Sequence, residues 1–119
     1  MARRRTRYSM AYVTAPDRRT ARSIARAVVE RRLAACANLW PVESIYRWHG
    51  KREETSEFVI VFKTRTSILP KLIGEVRRMH PADVPCIVSY PMGPALDAYL
   101  AWIASPPSRQ AVLQLSTSR

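Results

Sequence analysis

The stretch "EFVIVFKT" (57–64) constrains this chain more than any other. Read as a strand, it points Phe58, Ile60 and Phe62 to one face and Val59 and Val61 to the other. Both faces of the sheet around it must therefore be covered. Two long helical patterns are available. Asp17 is a good N-cap for a helix over about Arg18 to Arg32, in which Ala21, Ile24, Ala25 and Val28 recur at helical spacing. Its Arg19, Arg22, Arg26 and Glu30 make a solvated stripe. Thr66 or Ser67 caps a second helix to about Met79, with Pro70 in its first turn and Leu69, Leu72, Ile73 and Val76 inward. Right-handed crossovers place both helices on one face. The other apolar face is left open, and an open apolar sheet face implies an obligate oligomer packed sheet against sheet.

The remaining elements fall around that strand. "YSMAYVT" (8–14) reads as a strand, and "LAACANLW" (33–40) as a buried strand ending at Pro41. "VESIYRW" (42–48) and "SEFVIVFKT" (56–64) form a hairpin joined by "HGKREET" around Gly50. Pro81 stops the second helix, and Pro85 opens a last strand, "VPCIVSY" (84–90). A short helix over Ala95 to Ser105 carries Leu96, Tyr99, Leu100 and Ile103 on one side, and Pro106 and Pro107 stop it. This order, βαββαβ and a short C-terminal helix, predicts an α+β ferredoxin-like fold with strand order 4-1-3-2. The expected organisation is a basic tail over 1–8, one domain over 9–106 and a polar tail over 107–119.

A net charge of +11 and 20 basic residues raise the question of nucleic acid. Arg3, Arg4, Arg5, Arg7, Arg109 and Arg119 lie in the tails, so the domain itself is less basic. The glycine-containing aromatic signature of RNA-recognition strands is missing from "EFVIVFKT", which argues against a basic nucleic-acid binder. No apolar run approaches the roughly 20 residues of a membrane span, and no secretory h-region follows "MARRRTRYSM". The expectation is a cytoplasmic protein with its two cysteines reduced. Nucleotide-binding and hydrolase motifs are missing, and Cys86 with His80 lacks an orienting third group, so no enzymatic activity is expected.

"VTAPD" (13–17), "RLAACANLWPVESIYRWHGK" (32–51), "FKT" (62–64), "HPADVPCIVSYP" (80–91) and "YLAWI" (99–103) together closely resemble the CutA divalent-cation-tolerance family over about residues 10–105. The resemblance implies a homotrimer of P-II-like architecture, with hairpin strands crossing between subunits. It also implies a role in divalent-cation tolerance, copper among the metals, with a metal ion or small anionic ligand held in intersubunit clefts. An alternative is a signalling or scaffold trimer that binds a protein partner.

Within the resembling "HPADVPC", the family pattern has tyrosine where this chain has Ala82 and glutamate where it has Cys86. His80 is retained, and His80 with Cys86 is the candidate metal pair, softened further by Met79. Lys63, Tyr46, Trp48 and Cys36 are the candidate cleft residues. Their plainer roles are a lysine paired with a nearby carboxylate, aromatics packing a subunit contact and a small buried thiol. The strand order puts Cys36 and Cys86 about three strand spacings apart, roughly 14 Å, which excludes an intrachain disulfide or shared metal.

Overall fold

The computed structural model describes residues 7–105, so the expectations for the C-terminal tail, for Pro106 and Pro107 and for residues 1–6 of the N-terminal tail lie outside the described residues, while Tyr8, counted in that tail, begins the first strand. Within them the order is β1 (Tyr8–Ala15), α1 (Arg18–Glu30), β2 (Cys36–Trp48), β3 (Lys51–Arg65), a 3₁₀ turn (Thr66–Ile68), α2 (Leu69–Met79), β4 (Ile87–Pro91) and α3 (Asp97–Ala104). The strands form one antiparallel sheet in the order β2-β3-β1-β4. This is the anticipated ferredoxin-like order.

The helix face of the sheet is built by alternation. Ala11, Val13 and Ala15 of β1 and Ile60 and Phe62 of β3 are buried, and α1 closes over them with Ala21, Ile24, Ala25 and Val28. α2 adds Leu69, Leu72 and Val76. Asp17 caps α1 as expected, its carboxylate accepting the Thr20 N–H at 2.7 Å. Two polar residues on the same face are also buried, Ser9 and Thr64. Each is satisfied: the Ser9 and Thr66 hydroxyls lie 2.7 Å apart, and the Thr64 hydroxyl donates to Leu33 O at 2.7 Å.

Several local expectations are corrected. Pro41 does not end a strand. β2 starts at Cys36, not Leu33, and runs unbroken through Pro41 to Trp48, because β2 is an edge strand and needs only one partner. The hairpin loop shrinks to His49 and Gly50, with φ of 49° and 77°, the double left-handed turn that matches strand twist. "KREET" consequently belongs to β3. Neither Thr66 nor Ser67 caps α2 with its side chain; Thr66 spends its hydroxyl on Ser9. Ile73 is exposed, and Glu75 takes the inward position. β4 opens at Ile87 instead of Val84, since Pro85 and Cys86 precede the ladder. Leu96 is 75% exposed because it stands just before α3, which starts at Asp97.

Glu75 is tolerated inside because two cations reach it. Arg78 donates to both carboxylate oxygens at 2.8 and 3.0 Å, and Arg31 from the end of α1 approaches to 2.5 Å. The Arg78 hydrogen bonds foremost, with Arg31 adding to them against the opposing effect of burial, hold its carboxyl below the usual range. The folded form therefore binds fewer protons than the unfolded chain. Stability from this group is full above its ordinary value of 4.5 and is lost as pH falls through the lower folded value. Glu75→Gln should lower the urea midpoint at pH 7 and make little difference well below pH 4.5, as unfolding curves at the two pH values would read. A deficit of equal size under both conditions would mean that the charge is not what matters.

Candidate functional site

The open face of the sheet follows from the register. Tyr90, Met10, Lys63 and Cys36 form one row across the strands. Val88, Tyr12, Val61 and Asn38 form the next, followed by Thr14, Val59 and Trp40. Past Phe58, β3 loses its β1 partner, and the pairs from Val42–Glu57 to Trp48–Lys51 overhang as a two-stranded ribbon. That ribbon is roughly 24 Å long by strand rise. It is too thin to be stable by itself, and Tyr46 and Trp48 near its tip are over two fifths exposed. Trp40, Val88 and Tyr90 are exposed to a similar or greater degree. These three were not singled out from the sequence, although the two-residue alternation within β2 and β4 is the signal that assigns them to this face.

His80 and Cys86 meet at one residue. His80 ends α2, its backbone N–H still bonded to Val76 O at 2.9 Å. Its ring spans the turn: Nδ1 lies 3.1 Å from the Ala82 nitrogen and Nε2 2.7 Å from Thr14 O. The Ala82 N–H can only donate, so Nδ1 accepts, and Nε2 must carry the hydrogen donated to Thr14 O. The backbone of Cys86 takes the other side of the same residue, its carbonyl accepting the Thr14 N–H at 3.3 Å. The bend from His80 to Cys86 is thus sewn to the backbone of Thr14 at both ends. A metal on Nδ1 would have to displace the Ala82 N–H. The Cys86 side chain is exposed, whereas Met79 packs against the core.

The four cleft candidates divide into two pairs. Cys36 and Lys63 are direct cross-strand partners at one end of the open face. Lys63 donates from Nζ to Oδ1 of Asn38, two residues along β2, so its near partner is an amide and not a carboxylate. Cys36 is half-buried, with Sγ 3.3 Å from the Tyr99 hydroxyl of α3. Burial foremost, and then the neighbouring Cys36, push the Tyr99 phenol up to about 12, so it stays neutral. Tyr46 and Trp48 lie ten and twelve residues further along β2, roughly 33 Å and more from Cys36. One chain cannot unite these pairs. Cys36 and Cys86 are both free thiols, separated by three strand spacings and about four residues of strand, roughly 20 Å. Among the described residues no three His, Cys, Asp or Glu side chains cluster as a metal set.

Comparison with known proteins places this arrangement. The model of the CutA1 divalent ion tolerance protein family matches residues 9–106. Protein CutA of Mus musculus is 47% identical over 96 residues, which are 80% of this chain and 54% of that protein. The chain thus spans about half the length of the mammalian relatives it matches. The divalent-cation tolerance protein CutA of Archaeoglobus fulgidus is 38% identical over 96 residues, 81% of this chain and 94% of that one. Among solved structures, CutA1 of the psychrotrophic bacterium Shewanella sp. SIB1 superposes with a TM-score of 0.81 at 34% identity, covering 84% of this chain and 94% of its own. The open aromatic face and the sewn His80 bend are therefore features of a chain that belongs to the CutA1 divalent ion tolerance family.

Proposed function

We propose that this protein serves divalent-cation tolerance as a homotrimer of P-II-like architecture, binding copper, another divalent metal or a small anionic ligand between its copies. The observation that carries this reading is the open face with its overhanging ribbon. The ribbon brings Tyr46 and Trp48 of one copy within reach of the Cys36–Lys63 end of another, which joins the two halves of the cleft. The cation is cargo in this reading. Cys86 supplies an exposed soft donor, and the rest of a ligand set comes from a neighbouring copy. The role is binding and not catalysis. Two free thiols, one of them exposed, suit a reducing compartment, so we place the protein in the cytoplasm.

Light scattering should give about three times the 13.6 kDa chain mass. Calorimetric titration with Cu(I), Cu(II) and Zn(II) should find one ion bound tighter than roughly 10 μM, and Cys86→Ser should weaken it by about tenfold or more. Cys86 is exposed, so this variant leaves the fold intact. Unchanged binding in Cys86→Ser would remove the metal from this site, and a monomeric mass would remove the cleft altogether.

A further inference from the structure

On the opposite side of the sheet, the outer part of β2 is not fully roofed by α1, and a groove of about 1040 Å³ runs between α1, the start of β2 and α3. This is the upper end of the size range of small-molecule pockets. Its floor and walls are Ala25 and Val29 of α1, Ala35, Ala37 and Leu39, and Ile103 of α3. The alanines contribute only methyl groups, beside these larger side chains and Trp102. It offers little to recognise a polar body: the Thr64 hydroxyl already donates to Leu33 O, and among the described residues no buried side-chain polar atom lacks a partner.

The rim is different in character. Arg22, Arg26, Arg32 and Arg65 border the groove, with Glu30 the one acid among the lining residues. Ion pairs among the described residues engage Arg31, Arg52 and Arg78, and none of these four. Like charges around one groove repel one another, and an apolar floor lowers the local dielectric that would otherwise screen them. Arg32 adds an independent observation. It has φ of 60° at the position just past α1, where glycine is the favoured residue, and Leu33 N reaches back to Val28 O in the manner of a glycine-capped helix end. A guanidinium is kept there at the expense of backbone strain.

We propose that this groove binds a single-chain amphipathic anion, an acyl chain along the alanine floor and a phosphate head held by the arginine forks. Phosphate fits because several guanidiniums border one groove and each presents paired donors. A concave groove between two helices selects individual molecules over a bilayer surface. The groove meets the cation cleft at Cys36, which lines both, but none of Arg22, Arg26 and Arg32 is a cleft candidate, so changes at these arginines test the groove independently of the cleft.

The test is fluorescence or calorimetric titration of the full chain with monomeric oleoyl lysophosphatidate, below its micelle concentration. Binding tighter than roughly 10 μM is expected, with oleoyl lysophosphatidylcholine and inorganic phosphate each at least about tenfold weaker. Arg22→Gln with Arg26→Gln should weaken lysophosphatidate about tenfold or more. Arg32→Gly should weaken it severalfold while leaving the thermal midpoint equal or higher, because glycine suits that backbone. Equal binding of the zwitterionic lipid, indifference to all three arginine changes, or binding to anionic vesicles without binding to the monomer would each overturn the proposal.

Discussion

Val61→Asp is expected to leave a folded protomer of 13.6 kDa that no longer self-associates, whereas Ile60→Asp, one residue away, is expected to leave no folded protein. The difference is one of face. Ile60 is fully buried between Val13 and Leu39 in the register, beneath the helices, where a carboxylate finds no partner. An uncompensated buried charge costs several kcal/mol, a large part of the roughly 5–15 kcal/mol that holds a domain of this size together. Val61 lies between Tyr12 and Asn38 on the open face and is only half-buried in one chain. An aspartate there keeps its water until a second copy arrives, so the penalty falls on association. Circular dichroism and light scattering on the two variants read the outcome. A trimeric Val61→Asp protein would show that copies do not meet through this face.

Phe62→Ala should destabilise the fold by about 3–5 kcal/mol, toward the upper end of what a buried aromatic contributes. Phe62 is among the largest fully buried side chains, and its partners in the register are Ala11 on β1 and Ala37 on β2. Large-to-small changes are mildest where neighbours collapse into the void. Two alanine methyls flanking the ring on a hydrogen-bonded sheet cannot do so. Denaturant unfolding with an unchanged slope would measure the effect. A loss below about 1 kcal/mol would mean that the face repacks far more freely than its alanine borders allow.

The sequence is most informative where one local interaction decides. The Asp17 cap and the four buried residues of α1 are each settled by a short pattern and recur in the structure as read. It is least informative where a distant partner decides. Ile73 looks inward on a helical wheel, yet Glu75 is taken inside because Arg31, 44 positions earlier in the chain, reaches it. Pro41 looks like a terminator because the rule assumes a strand paired on both sides, and an edge strand is not. "KREET" looks like loop because a ribbon with solvent on both sides is as polar as one. At the site, His80 is recognisable from sequence, but not that its ring nitrogens are engaged by Thr14 and Ala82. That knowledge needs the crossing of β1 past the end of α2.

One feature of the sheet bears on what the protein avoids. Both outer strands contain a proline, Pro41 within β2 and Pro91 at the end of β4. A proline has no N–H to offer an incoming strand, so each rim is interrupted as a template. A protein with exposed aromatics and a long two-stranded ribbon is otherwise well suited to unlimited strand-on-strand growth. With both rims interrupted, open-ended fibre growth is disfavoured, and any contact between copies is steered to faces, where it can close into a finite particle.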